Sequence, residues 1–284
     1  IYTTIMAQLI EAYRKIRNTC RFLLSNLYDF DPVTHRVPYE KLPELDRWAL
    51  LRLGELTTKV RQAYEDFEFH TIFHALNNFC SVDLSAVYLD ILKDRLYTFR
   101  KEAHERRSSQ TVLYDIVMAM AKLMAPVLSF TAEEIWRILA AQVAGGMETA
   151  SVHLASFPEI DPAWPDAKLA ERWERLLKYR TQVQGVLEES RRGKTIGSSL
   201  EAYVHIEANA DNFRFLKPYE QDLSALFIVS NVMLTQSPEG GEPLRVTVSK
   251  SQAGKCERCW NYREAVGKDA VHPTLCDRCV EAIR

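Results

Sequence analysis

Apolar residues recur three and four positions apart through the first 140 residues, which is the spacing that forms one face of an α-helix. The pattern predicts five helical segments. They span about 5–27, 45–67, 69–99 with a polar interruption at 81–83, 109–124, and a run that begins near 131. The predicted buried face of the first consists of Leu9, Tyr13, Ile16, Cys20, Leu23, Leu24 and Leu27. Five successive amphipathic helices predict an antiparallel helix bundle.

Local signals mark several helix ends. Asp46 is the predicted N-cap of the second helix, because its carboxylate can accept hydrogen bonds from unpaired first-turn amides. Pro126 ends the fourth helix, since the residue before a proline is disfavoured in the α conformation. Thr131 and Glu134 have the spacing of a capping box at the start of the fifth.

The pattern changes at Gly145–Gly146. A short strand pattern in 151–157 and three prolines predict a connector, which is followed by a long helix over 166–192 that Gly193 ends as a left-handed cap. Three β-rich runs then follow, at 203–207, 226–234 and 245–248. The predicted fold is mainly α, a helix bundle followed by a small α+β module and a cysteine-rich segment. The predicted domains are 1–145, 146–165, 166–252 and 253–284.

The chain is 47% hydrophobic and 26% charged, an ordinary globular balance. Its most apolar stretch, 112–130, is interrupted by Asp115, Lys122 and Pro126, which argues against a membrane partner. The net charge of −2 gives no overall footprint of nucleic-acid binding, so such a role must depend on local patches. Clustered cysteines indicate a reducing, cytoplasmic setting. The opening without Met, in a helical pattern, suggests a piece of a longer chain.

Four of the six cysteines form a C-x₂-C-x₁₆-C-x₂-C pattern at Cys256, Cys259, Cys276 and Cys279. This spacing is typical of one structural Zn²⁺ held by four thiolates, because each short pair can turn both sulfurs onto one metal. The alternatives are two redox dithiols, two disulfides, or His272 in place of one cysteine. A closed four-cysteine site leaves no open position for catalysis.

Aromatic and basic residues surround the second cysteine. Trp260, with Arg258 and Arg263, could stack and neutralise single-stranded nucleic acid. Alternatively, Trp260 could cover the small zinc core.

Two other basic groups are candidates for RNA contact. Arg14, Arg17 and Arg21 lie along one strip of the first helix, and Arg191, Arg192 and Lys194 lie at the end of the long one. The simpler alternatives are a solvated flank paired with acids, and cations favoured by a helix C-terminus. No phosphate-binding glycine loop or nucleophile motif occurs, so the sequence assigns no catalytic residue.

Several segments resemble successive signatures of the bacterial isoleucyl-tRNA synthetases, which are class I enzymes. They include "LDRWAL" (45–50), "RRSSQTVLYDI" (106–116), "GKTIGSSLEA" (193–202) and "GKCERCWNYREAVGKDAVHPTLCDRC" (254–279). The resemblance covers nearly the whole chain in order and corresponds to the carboxy-terminal part of those enzymes.

The resemblance implies an anticodon-binding bundle and a zinc segment that contact the anticodon arm of isoleucine tRNA. ATP-dependent charging and editing would belong to upstream domains, and the resemblance implies a monomer without a DNA partner. Two alternatives stay open. The zinc segment also resembles that of DNA-repair glycosylases of the formamidopyrimidine type, although their amino-terminal proline is absent here. A zinc-stabilised protein-interaction scaffold is the other.

Overall fold

The computed structural model describes residues 2–142, 149–238 and 242–284. The chain divides into two compact units. The first comprises Ile1–Leu96 with Lys101–Ala170, and the second comprises Tyr97–Arg100 with Glu171–Arg284. The four-part division expected from the sequence stays a prediction, and its boundary at Gly145–Gly146 lies outside the described residues.

Helices build the first unit, which confirms the predicted mainly α fold. They are α1 (Tyr2–Ser25), α2 (Glu44–Glu65), α3 (Phe69–Asn78), α4 (Leu89–Thr98), which ends in the second unit, α5 (His104–Met124) and α6 (Ser129–Gln142). The predicted interruption near Ser81 is a π-helical segment, Phe79–Tyr88, between α3 and α4. No described helix combines the length and apolar character needed to cross a bilayer.

The apolar face of α1 is buried as predicted from its middle onwards. Ile16 and Leu23 are fully buried, and Cys20 and Leu27 nearly so. Tyr13 and Leu24 are half-buried, and Leu9 is 47% exposed near the start of the helix. The three-and-four spacing therefore identified the correct face and overestimated its length.

Two predicted helix caps are wrong. Asp46 lies inside α2, whose N-cap is Pro43, and it is fully buried, where it accepts hydrogen bonds from Tyr88 (2.5 Å) and Arg95 (3.1 Å). Thr131 lies within α6, which begins at Ser129, and its hydroxyl hydrogen-bonds to the Tyr13 hydroxyl at 3.0 Å, while the Glu134 carboxylate accepts from Arg17.

A buried ion pair joins the turn after α1 to α5. Asp29, whose side chain is 7% exposed, accepts hydrogen bonds from both terminal nitrogens of Arg106 at 2.8 and 2.9 Å and from Gln110 at 2.7 Å. Arg107 donates to the Asp29 backbone carbonyl at 2.8 Å. These partners satisfy charges that burial would otherwise make very costly.

The second unit contains most of the long helix α7 (Ala167–Arg192), as predicted, and a small sheet. Asp166 caps α7 by accepting a hydrogen bond from the Leu169 amide at 3.0 Å. The strands are β1 (Ala202–Ala208), β2 (Asn231–Gln236) and β3 (Leu244–Lys250). Two short helices, α8 (Ala210–Leu216) and α9 (Leu223–Phe227), connect β1 to β2.

Two of the strand predictions need correction. The run 226–234 is not one strand, because its first residues belong to α9, which Ile228 ends in the left-handed conformation at φ 58°. The strand pattern near Val152 is a 3₁₀ turn instead, in which the Ser151 hydroxyl accepts a hydrogen bond from the His153 amide and Glu133 accepts one from the Val152 amide. Part of the turn predicted between β2 and β3, at 239–241, lies outside the described residues.

The sheet has the order β2-β1-β3, with β1 parallel to β2 and antiparallel to β3. Val204 and Ile206 of the central strand are fully buried, and α8 packs on β1 and β2. Side chains alternate between faces along a strand, so His205, which lies between these two residues, points to the other face.

Candidate functional site

The four predicted metal ligands come together at the end of the chain. A two-stranded hairpin of β4 (Gly254–Lys255) and β5 (Tyr262–Arg263) presents the first pair in its turn. The second pair flanks the start of α10 (Asp277–Ile283). All four side chains are buried, and their sulfur atoms lie within 4.8 Å of one another.

This geometry fits one zinc ion. Tetrahedral coordination at about 2.3 Å places neighbouring sulfurs about 3.8 Å apart, and the sulfurs of Cys259 and Cys276 are separated by 3.7 Å. All four cysteines are free, so one four-sulfur cluster replaces the alternatives of two disulfides or two dithiols. His272 does not belong to the cluster. The site has the closed ligand set of a structural zinc.

Local electrostatics also favour a bound cation. Burial raises the pKa of the Cys256 thiol, but backbone amides of Cys259, Cys276 and Arg258 together lower that pKa to about 6. Burial and the neighbouring charge of Cys259 raise the pKa of Cys276 and Cys279. A divalent metal would compensate the negative charge of these thiolates.

Trp260, which follows the second cysteine, is exposed to solvent. Its side chain is 61% exposed, and the Nζ atom of Lys255 lies 5.6 Å from the centroid of its ring. Its backbone takes the left-handed conformation at φ 63°, which is unusual for a bulky residue. Exposure of the ring speaks against the alternative in which Trp260 covers the zinc core.

The two arginines near Trp260 have different surroundings. Arg258 donates a hydrogen bond to the Thr98 carbonyl and lies 3.6 Å from the Cys279 sulfur. These contacts place its guanidinium beside the metal ligands, and its contact with RNA stays a prediction. Arg263 is half-buried on β5, and its Nε atom has no hydrogen-bond partner within the described residues.

Comparison with known proteins supplies the family. Residues 46–206 match the model described as "Anticodon-binding domain of tRNA ligase", and residues 254–282 match "Zinc finger found in FPG and IleRS". The chain belongs to the anticodon-binding family of tRNA ligases. This result confirms the resemblance drawn from the sequence and does not favour the glycosylase alternative.

Curated relatives agree with this assignment. The chain is 49% identical to the isoleucine–tRNA ligase of Geobacter sulfurreducens, over 99% of this chain and 30% of that protein. It is 48% identical to the enzyme of Moorella thermoacetica, over 99% of this chain and 31% of the relative. The chain thus spans about a third of the length of the curated relatives it matches.

In this chain, two of the three arginines of the predicted α1 strip are paired with acids. Arg14 pairs with Glu11 at 2.8 Å, and Arg17 makes two hydrogen bonds to Glu134 at 2.7 and 3.1 Å. Arg21 is exposed and has no ion pair within the part of the chain that the structure describes. The simpler interpretation, a solvated flank, therefore describes the first two arginines.

The cations at the end of α7 are more accessible. Arg191 pairs with Glu188 at 2.5 Å, whereas Arg192 lies 3.6 Å from the same carboxylate and is 78% exposed. Lys194 is exposed, without an ion pair among the described residues. Arg192 and Lys194 are thus the members of this group that can reach a ligand without breaking a short contact.

Lys194, not Gly193, has the left-handed backbone that ends α7. Its φ is 60°, and the Thr195 amide donates to the Ser190 carbonyl at 2.9 Å, as in a Schellman cap. The predicted position of the cap was wrong by one residue. A lysine in this conformation is strained relative to glycine, and strain of this kind occurs at functional sites.

Lys194→Gly is expected to stabilise the chain by about 0.5–1 kcal/mol, because glycine adopts this conformation without a steric cost. Gly193→Ala should be nearly neutral, since the added Cβ would meet the Glu189 carbonyl at 3.4 Å, an ordinary contact. Urea unfolding of both variants checks this. Equal effects of the two changes would contradict the position of the cap.

Proposed function

We propose that this chain recognises the anticodon arm of isoleucine tRNA, as part of an isoleucine–tRNA ligase. The observation that carries the proposal is the exposed Trp260 ring beside Lys255, on the hairpin turn that also presents Cys256 and Cys259. Stacking on a rigid aromatic ring is a common way to bind unpaired bases. The anticodon is an unpaired loop, so the ligand and the surface have matching chemistry.

Charge near this ring and elsewhere on the chain supports a role in RNA binding. Arg21, Arg192 and Lys194 are exposed and could contact phosphates. Arg263 lies on β5, the strand that follows Trp260 and Asn261. Phosphate contacts position an RNA and make its binding depend on salt. The net charge of −2 makes such local cations, and not the whole surface, the source of attraction.

The finer parts of the proposal follow from the relatives. We expect the full protein to charge isoleucine tRNA using ATP bound in a catalytic domain outside this chain, and to act as a cytoplasmic monomer. We assign no catalytic residue here and expect neither DNA nor a membrane as partner. A scaffold without an RNA ligand is the second candidate.

The test is Trp260→Ala, which removes the ring. We expect affinity for isoleucine tRNA to fall about five- to one-hundredfold, as for the loss of one stacked base, with zinc content unchanged. Trp260→Phe is the control, because it retains an aromatic face and should lose less. Filter binding at two salt concentrations and metal analysis give the readouts.

Unchanged tRNA affinity in a zinc-loaded Trp260→Ala chain would remove the ring from the interface. Absence of tRNA binding by the unaltered chain, at low as well as moderate salt, would favour the scaffold instead.

A further inference from the structure

One face of the three-stranded sheet in the second unit is not part of its core. The register places Tyr203, His205 and Glu207 of β1 on this face, beside Asn231, Met233 and Thr235 of β2 and Arg245, Thr247 and Ser249 of β3. We call this set the open sheet face. Met233 is 45% exposed, and the three β3 residues are exposed.

The chemistry of the open sheet face suits unpaired nucleotides. The tyrosine and histidine rings on the central strand offer stacking surfaces, and hydroxyl groups on both edge strands can hydrogen-bond to bases or to the ribose 2′-OH. His205 already contacts the Thr235 hydroxyl at 2.8 Å, and Tyr203 donates to the Met233 sulfur at 3.1 Å. These contacts hold the central rings in place.

The open sheet face is continuous with the zinc segment. The Asn231 side chain, which shares a row of the sheet with Tyr203, donates to the Tyr262 carbonyl at 3.3 Å. The Tyr262 amide in turn donates to the Ser230 hydroxyl at 2.7 Å. Tyr262 is only two residues after Trp260, so the turn that carries the proposed stacking ring is joined to the β2 edge of the sheet within one unit.

Charge on this face is balanced and loosely paired. Arg245 lies 3.8 Å from Glu207 and 3.7 Å from Glu242, both longer than a direct hydrogen bond. The arginine can therefore turn to a phosphate at little cost, because these exposed pairs contribute little stability. The face thus offers aromatic rings, hydroxyl groups and one available cation.

We propose that the open sheet face is a second contact surface for single-stranded RNA, which extends from Trp260 across the central strand. This inference rests on the proposed function and adds a surface to it. The occupant is a run of unpaired nucleotides beside the base that stacks on Trp260. The experiments below distinguish this RNA from a protein partner or a second copy of the chain bound to the same face.

A pair of charge-matched variants tests the proposal in the full chain. Thr247→Glu adds one negative charge to the open sheet face. Gln236→Glu adds the same charge on an exposed β2 residue that points to the opposite face. We expect the first to weaken binding of an isoleucine tRNA anticodon stem-loop about fivefold or more, since a carboxylate would face phosphates, and the second to change it less than about twofold.

Two further variants test stacking. Tyr203→Thr should weaken binding of the same RNA about fivefold or more, whereas Tyr203→Phe retains the ring and should stay within about twofold. Photocrosslinking with 5-iodouridine in the loop should label peptides from β1 or β2. Melting curves for each variant establish that the sheet is folded.

The outcomes separate this inference from the proposed function. Suppose that the unaltered chain binds the RNA and Trp260→Ala weakens this binding, but Thr247→Glu and Gln236→Glu behave alike. RNA contact at the open sheet face is then overturned, and the proposed function stands. Crosslinks confined to the zinc segment or α7 would likewise overturn RNA contact at the open sheet face and leave the proposed function standing. If the unaltered chain binds no RNA, both fail. A dimer that Thr247→Glu dissociates would assign the face to a second copy instead.

Discussion

Removal of zinc is expected to unfold residues 254–284 and to abolish any contact that Trp260 makes. Among the described residues, the apolar core of the segment consists of its four cysteines, the partly buried Val266 and Leu275 that pack against them, and the buried Val280. A structural zinc supplies on the order of 10 kcal/mol or more to the folding of such a segment. Loss of the metal is therefore the largest single effect that we expect.

Hydrogen exchange measured before and after chelation checks this result. Amides of the zinc segment should lose protection, while those of α2 and α5 in the first unit should retain it. Cys256→Ser should reproduce the chelated state and lower the bound zinc from one ion per chain. Cys80→Ala is the matched control, because that cysteine is buried in the π-helical segment and is not a ligand. Retained protection after metal loss would show that zinc does not hold the segment.

Replacing Asp29 by Asn is expected to destabilise the chain by about 3–5 kcal/mol, the usual effect of breaking a buried ion pair. The variant would leave Arg106, only 4% exposed at its side chain, without a compensating charge. Arg107 would lose a nearby carboxylate as well, at 3.8 Å. Urea unfolding at neutral pH measures the change.

The pH dependence gives a second readout. Burial raises the pKa of Asp29, but hydrogen bonds from Arg106 and Gln110 and the charge of both arginines outweigh it, so the pKa is lowered overall. A lowered pKa in the folded state gives stability that is fully present above the unfolded pKa, near 3.9, and is lost as pH falls through the folded value. The difference between the unaltered chain and Asp29→Asn should therefore shrink below about pH 4.

Glu102→Gln is the control for this prediction. Glu102 pairs with Arg107 at 2.8 Å, but its side chain is 67% exposed, so solvent already screens the interaction. We expect a much smaller loss of stability than for Asp29→Asn. Similar losses in the two variants, or a difference that does not change between neutral and acidic pH, would contradict a buried, charge-dependent contact.

Local spacing explains what could be predicted. The helical pattern located α1, α2, α5 and α7, because an amphipathic helix repeats every 3.6 residues whatever lies next to it. Cap positions were less predictable. Asp46 has the chemistry of an N-cap, but tertiary packing directs it to Tyr88. The left-handed residue at the end of α7 is a lysine, which composition alone would not select over its glycine neighbour.

By itself, the sequence determined the zinc ligands, the order of the helices and the family, since all three depend on residue types at short, fixed intervals. The tertiary structure alone decided which basic and aromatic residues remain accessible. It turned Arg258 toward Thr98, which lies 160 residues away in the chain, and Arg106 toward Asp29 across 77 residues. It left Trp260 exposed. Such contacts depend on how elements pack, and a pattern read along one element carries no information about its distant partners.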